Sequence, residues 1–164
     1  MRFVADASPL IFLAKVRRLD LLRSLLGNEW LAASSVRAEA LVLTMESEET
    51  RELKAFFDSC SVETVRHPRR YAPALSAADN DTLTLAVRRK ADLLLCDDRI
   101  LRLAAQAEGI RPLGTLGVLL GAMNAGLLPA ADTRRLVDAL VGLHGFRIGI
   151  EVYQSVLARI TSHE

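Results

Sequence analysis

The sequence predicts an α/β fold: a central, mostly parallel sheet flanked by helices, with a helical extension at its C-terminal end. Two observations carry that prediction. The runs Arg2-Phe3-Val4-Ala5 and Asp92-Leu93-Leu94-Leu95-Cys96 are apolar almost throughout, as in parallel strands buried on both faces. Strand-like runs also alternate with segments of helical periodicity. Each apolar run leads straight into aspartate, Asp6 in one case and Asp97-Asp98 in the other. In open parallel sheets ligands gather beyond the carboxyl ends of the strands. Carboxylates distant in sequence are therefore expected on one edge of one sheet.

Taken in order, residues 2–5 form the first strand. Ser8-Pro9 starts a helix, serine suiting the N-cap and proline the first helical position. Residues 10–14 and 19–26 give two short helical segments closed by Gly27-Asn28, and Glu29-Trp30-Leu31-Ala32 a short strand. Ser34-Ser35 caps a helix reaching about Leu43. A helix from about Ser47 to Ser59 turns Leu53, Phe56 and Phe57 inward, and the alternation of Ser61-Val62-Glu63-Thr64-Val65 predicts a more exposed strand. Residues 66–73 form a loop, 76–90 a strong helix, 92–96 a strand, 99–108 a helix and 110–113 a brief last strand. Helices at about 115–125, 130–142 and 149–161 complete a chain without internal repeats or low-complexity linkers.

A length of 164 residues suits one domain, 1–164, with its core at about 1–113 and the helical extension at about 114–164. With 51% hydrophobic residues the chain can bury a substantial core, which argues against disorder. Its net charge of +1 supplies no global field toward nucleic acid, so any such binding rests on local clusters. Cys60 and Cys96 lack metal-ligand spacing, and this usage fits a reducing cytoplasm. Asp6 breaks the first apolar run before a signal peptide could form. The stretch 113–131 is cut by Thr115, Asn124 and Pro129, so it reads as a packed helix ending at Gly126 rather than a membrane span.

The acids carry the chemistry. Each has an ordinary use: Asp6 beside a helix start, Asp97 or Asp98 as the N-cap of the next helix, Asp79 in the capping box Ser76-Ala77-Ala78-Asp79, and Glu39 in a first helical turn. Together they make a repulsive group that holds protons unless a cation intervenes. Oxygen-only ligands suit Mg²⁺ or Mn²⁺, ions that activate water against a phosphodiester. Asp81 lies roughly 200° round the helix from Asp79, so Asp79 is the one expected in the site and Asp81 at most supports it.

At these same residues the chain resembles PIN-domain proteins. The resemblance runs through residues 4–11 (VADASPLI), 35–39 (SVRAE), 75–79 (LSAAD) with Ala86 seven residues on, and 91–99 (ADLLLCDDR). These match, in order, the first aspartate, helix glutamate, third acid and strand-end acid of PIN nucleases. The segments 113–120 (LGTLGVLL) and 145–148 (GFRI) resemble the tail of a prokaryotic PIN-like branch described as nucleic-acid-binding, so nearly the whole chain is covered.

The resemblance implies a three-layer α/β/α fold and metal-dependent cleavage of single-stranded RNA. It also implies a VapC-type toxin with a paired antitoxin, and it favours a homodimer. Asp6, Asp79 and Asp98 would be the main ligands of Mg²⁺ or Mn²⁺, with Asp97 the alternative strand-end ligand. Glu39 would act through water, and Ser8 would support Asp6 or a metal-bound water unless it only caps its helix. One departure is Cys96, two residues before Asp98, where the family usually has threonine or serine.

Cations for phosphate are Arg99 and Arg102, best placed after the strand-end acids, then Arg66, Arg69 and Arg70 with Tyr71 as a stacking platform, and Arg88-Arg89-Lys90. His67, His144 and His163 have surface or capping roles in this reading. Gly117 and Gly121 share a helix face that permits close packing, within the chain by default or across a dimer. An antitoxin would be expected along residues 11–26, unless that surface is core.

Overall fold

A computed structural model describes residues 1–42 and 47–163. Among them the sheet has five parallel strands: β1 (Phe3–Ala5), β2 (Trp30–Ala33), β3 (Ser61–Glu63), β4 (Leu93–Leu95) and β5 (Arg111–Leu113). The helices are α1 (Ala7–Lys15), α2 (Asp20–Leu26), α3 (Ser34–Val42), α4 (Glu48–Asp58), α5 (Ala77–Arg88), α6 (Arg99–Ala107), α7 (Thr115–Asn124), α8 (Ala130–Gly142) and α9 (Ile150–Thr161). The expected end of α3 near Leu43 lies outside the described residues. No helix among them is long and apolar enough to cross a membrane.

Strand order is β3-β2-β1-β4-β5. The chain runs outward from β1 in one direction, then returns to build β4 and β5 on its other side. The reversal falls between β1 and β4, the switch point where open α/β sheets place their ligands. Register pairs Ala5 with Leu95, and the Asp6 amide donates to the Leu95 carbonyl at 2.9 Å. Continuing that register sets Asp6 beside Cys96, one residue short of Asp97.

All residues of β1, β2 and β4 are buried. Successive strand residues point to opposite faces, so burial of Phe3, Val4 and Ala5 alike requires cover on both sides of the sheet. The layer formed by α5 contacts β1, β2 and β4, while α6 packs on α5 and β5. The remaining cover comes from α1, which contacts α3, α4 and α7, and from α2 against α7. The apolar cluster runs from Phe3 to Ile160 and so includes the C-terminal helices.

Several boundaries differ from the sequence reading for local reasons. Helix α1 begins at Ala7 with Asp6 at its N-cap, so Ser8 and Pro9 fall at the second and third helical positions rather than at the cap and first. Proline is tolerated there because its missing N–H has no intrahelical acceptor in the first turn. Strand β3 stops at Glu63, shorter than 61–65. Ser47 caps α4, which spans the expected stretch, and Leu53, Phe56 and Phe57 are buried as expected. The glycines of α7 are used within the chain: a Cβ at Gly117 would meet Leu113 at 2.6 Å and one at Gly121 would meet Leu25 at 3.0 Å. Much of the expected antitoxin surface is core, since Leu13, Leu21 and Leu22 are fully buried.

Leu94 is fully buried in the central strand β4 whereas Leu103 is exposed on α6. Leu94→Ala is expected to cost about 2–5 kcal/mol and Leu103→Ala to stay within about 0.5 kcal/mol of the wild type. Urea denaturation checks both; equal effects would contradict the placement of the sheet.

Candidate functional site

Asp6 is the centre of the site because the chain holds it almost entirely out of solvent. It follows a buried strand and precedes a buried helix start, and only 6% of its surface is exposed. Burial pushes its carboxyl up to about 7; the Ala7 amide opposes this, and Asp79, Glu39 and Asp97 add repulsion in that order. Asp6 thus brings together acids from β1, α3, α5 and the end of β4. Glu39 is also raised, first by burial and then by Asp79. It sits in the second turn of α3 rather than the first, exposed toward the acids instead of serving the helix dipole.

Asp97 and Asp98 divide the work the sequence left open. Asp98 is exposed and caps α6, its Oδ1 accepting from the Leu101 amide at 2.8 Å. Asp97 is half-buried and faces Asp6. Its Oδ1 accepts from the Thr115 amide at 2.7 Å and its Oδ2 from the Thr115 hydroxyl at 2.6 Å. Burial raises its pKa, while Thr115 and Arg102 pull it down. This orientation favours Asp97 over Asp98 as the strand-end acid of the cluster.

Asp79 both caps and faces the site. The capping box is formed: Ser76 Oγ accepts from the Asp79 amide at 3.1 Å, and Asp79 Oδ2 from the Ser76 amide at 2.8 Å. Asp81 turns elsewhere, accepting from Ser35 Oγ at 2.7 Å, in keeping with its angular offset on the helix. Ser8 is half-buried and makes no side-chain hydrogen bond among the described residues. Cys96 is fully buried, its thiol directed at the Leu94 carbonyl and pushed up to about 12, chiefly by burial and next by Asp6. A protonated thiol is not a metal ligand.

The basic residues separate. Arg102 donates to the Cys96 carbonyl at 3.2 Å and lies beside Asp97; Arg99 is exposed on the same helix. Arg69 is drawn away from the acids: it pairs with Glu108 beyond the far end of α6 at 3.2 Å and covers the Tyr71 ring at 4.9 Å. Arg70 borders a shallow hollow with Ala77 and Asn80, near the first turn of α5. Arg88 and Arg89 hold structure, binding the Arg66 and His67 carbonyls and Glu63 respectively.

Sequence reasoning missed Gly114 and Thr115. A Cβ at Gly114 would come within 2.9 Å of both Arg102 and Asp97, so glycine is needed for those side chains to approach the start of α7. Their position directly after β5, on the edge that carries the acids, was the available signal.

A hard divalent cation fits the chemistry of these donors, which are carboxylate oxygens in mutual repulsion around a buried aspartate. Among the described residues no three acid, histidine or cysteine side chains converge as a ready ligand shell.

A five-stranded parallel sheet with acids at its switch point defines an open α/β protein with an acidic site. A family model described as DUF3368, a PIN domain, matches residues 2–162, and the chain belongs to the PIN-domain family. Neither a curated protein nor a solved structure matches the chain.

Folded, metal-free protein keeps a proton on Asp6 up to about pH 7, where an unfolded aspartate has lost it above its ordinary value of 3.8. The folded state therefore binds the extra proton between those two values, and its stability falls as pH rises through this window. The loss is about 1.4 kcal/mol for each pH unit crossed. In EDTA, Tm is expected to fall between about pH 5 and 7 and then level off, and Asp6→Asn to flatten the fall. A drop of equal size in the variant would contradict the assignment.

Proposed function

We propose that the chain is a metal-dependent endoribonuclease that cleaves phosphodiester bonds of single-stranded RNA, and the toxin of a toxin–antitoxin pair. The observation that carries this reading is the buried Asp6 faced by Asp79, Glu39 and Asp97 at the switch point. Membership of the PIN-domain family supports it at the level of a nuclease-type fold.

Asp6, Asp97 and Asp79 are the residues to hold Mg²⁺ or Mn²⁺, with Glu39 acting through water. A divalent cation held by these residues would supply water activation near neutral pH and charge neutralisation at the phosphate. The protein's own groups prepare that site. Thr115 fixes both oxygens of Asp97, and the Ser76 amide fixes Asp79 Oδ2. Arg102 and Arg99 face the substrate's phosphates, where their charge draws the strand toward an otherwise repulsive acid group.

A second reading, a PIN-like module that binds nucleic acid or protein without cleaving it, is favoured by the capping duties of Asp79 and Asp98 and by the lack of a ready ligand shell among the described residues. An antitoxin and a homodimer belong to the first reading, and a cytoplasmic location fits either.

The readings are separated by incubating the protein with a mixed single-stranded RNA pool in Mn²⁺ or EDTA. Cleavage is expected only with metal, reduced at least 100-fold by Asp6→Asn or Asp97→Asn and less than threefold by Asp98→Asn. Metal-independent cleavage, or full activity in Asp6→Asn, would remove the proposed site. Intact RNA under every condition would favour the binding module.

A further inference from the structure

A cleft of about 430 Å³ opens beside Asp97, between the starts of α6 and α7 and the C-terminal segment that leads into α9. Its chemistry is of two kinds. Arg99 and Arg102 come from α6 and Arg147 from the C-terminal segment, and the acid at the cleft is Asp97, already bonded to Thr115. Leu116, Ile148 and Val152 supply an apolar wall.

The cations are available. Arg102 makes one bond to a backbone carbonyl, and neither Arg99 nor Arg147 has a hydrogen bond or ion pair among the described residues. The first amides of α9 follow Gly149 without a side-chain cap. Arg147 is held at the cleft because its neighbour is anchored: the Phe146 amide donates to the Leu140 carbonyl at 2.9 Å, and the Phe146 ring packs edge-on against Phe12 at 4.9 Å.

Three arginines lining one small volume suit a phosphate, whose oxygens match the forked donors of guanidinium groups. An apolar wall without directed polar groups suits the face of a base and tolerates any sequence. The volume is that of a small-ligand site. Because Asp97 belongs to both the cleft and the acid cluster, a group bound in one adjoins the other.

We propose that this cleft binds one nucleotide of the single strand, its phosphate on Arg99, Arg102 and Arg147 and its base against Leu116, Ile148 and Val152. The assignment of that nucleotide to a substrate strand rests on the nuclease reading; the binding itself requires no metal. The C-terminal segment thereby fixes the strand beside the acids, with Arg147 as a positioning residue.

The test is an amide NMR titration in EDTA with adenosine 5′-monophosphate, adenosine and inorganic phosphate as separate probes. The nucleotide is expected to shift Gly117, Ile148 and Gly149, with adenosine and phosphate each binding at least tenfold more weakly. Arg147→Ala should weaken the nucleotide at least tenfold, Arg147→Lys should restore part of the loss, and Asp6→Asn should retain binding. Shifts elsewhere, phosphate binding as tightly as the nucleotide, or an unaffected Arg147→Ala would overturn the proposal. Nucleotide binding here by a protein that leaves RNA intact in Mn²⁺ would support the cleft and contradict the nuclease reading. RNA cleavage without nucleotide binding would do the reverse.

Discussion

Burial of a carboxylate at the end of β1 is the constraint around which the rest of the site is arranged. Asp6 cannot move into solvent without unpairing its amide from Leu95 or unwinding the start of α1. An isolated charge there is costly, and three further acids face the same point. Such a group persists on a metal-free protein by keeping a proton, and the proposed cation would replace that proton. The tension between stability and function in this fold is concentrated at one side chain.

The surrounding acids are stabilised by double use. Asp79 completes a capping box, and Asp97 is held by two donors from the first residue of α7. Each helix start stabilises a negative charge through its free amides, so the fold gathers carboxylates that would otherwise repel. Asp98 likewise caps a helix, its Oδ1 accepting from the Leu101 amide at the start of α6. The same double use explains why every acid in the sequence had a credible capping role: for Asp79 that role is real and does not compete with a place at the site.

The fold was legible because its signals are local and strong. Residues 93–95 are three leucines with no polar face, and Ser76 to Asp79 announces a helix start without ambiguity. What sequence could not supply was orientation. Asp97 and Asp98 are adjacent, and only the Thr115 contacts from 18 residues away and the repulsion between Asp97 and Asp6 separate their surroundings. Arg69 and Arg70 look alike in the sequence, yet Glu108 draws Arg69 to the far end of α6. Ser8-Pro9 fits the helix-start pattern so well that it hides the true cap, Asp6, two residues earlier. Arg147 lies in the 145–148 segment that resembles the PIN-like tail, but its place beside the acids was hidden, since it depends on Phe146 docking against α1.

The central claim, that Asp6 and Asp97 together form a divalent-cation site, is tested most directly by calorimetric titration with Mn²⁺ at pH 7.5. Binding is expected to the wild type and to Asp98→Asn, at least tenfold weaker to Asp97→Asn, and absent from Asp6→Asn. Binding lost in Asp98→Asn but intact in Asp97→Asn would contradict it, as would a wild-type protein that takes up no Mn²⁺.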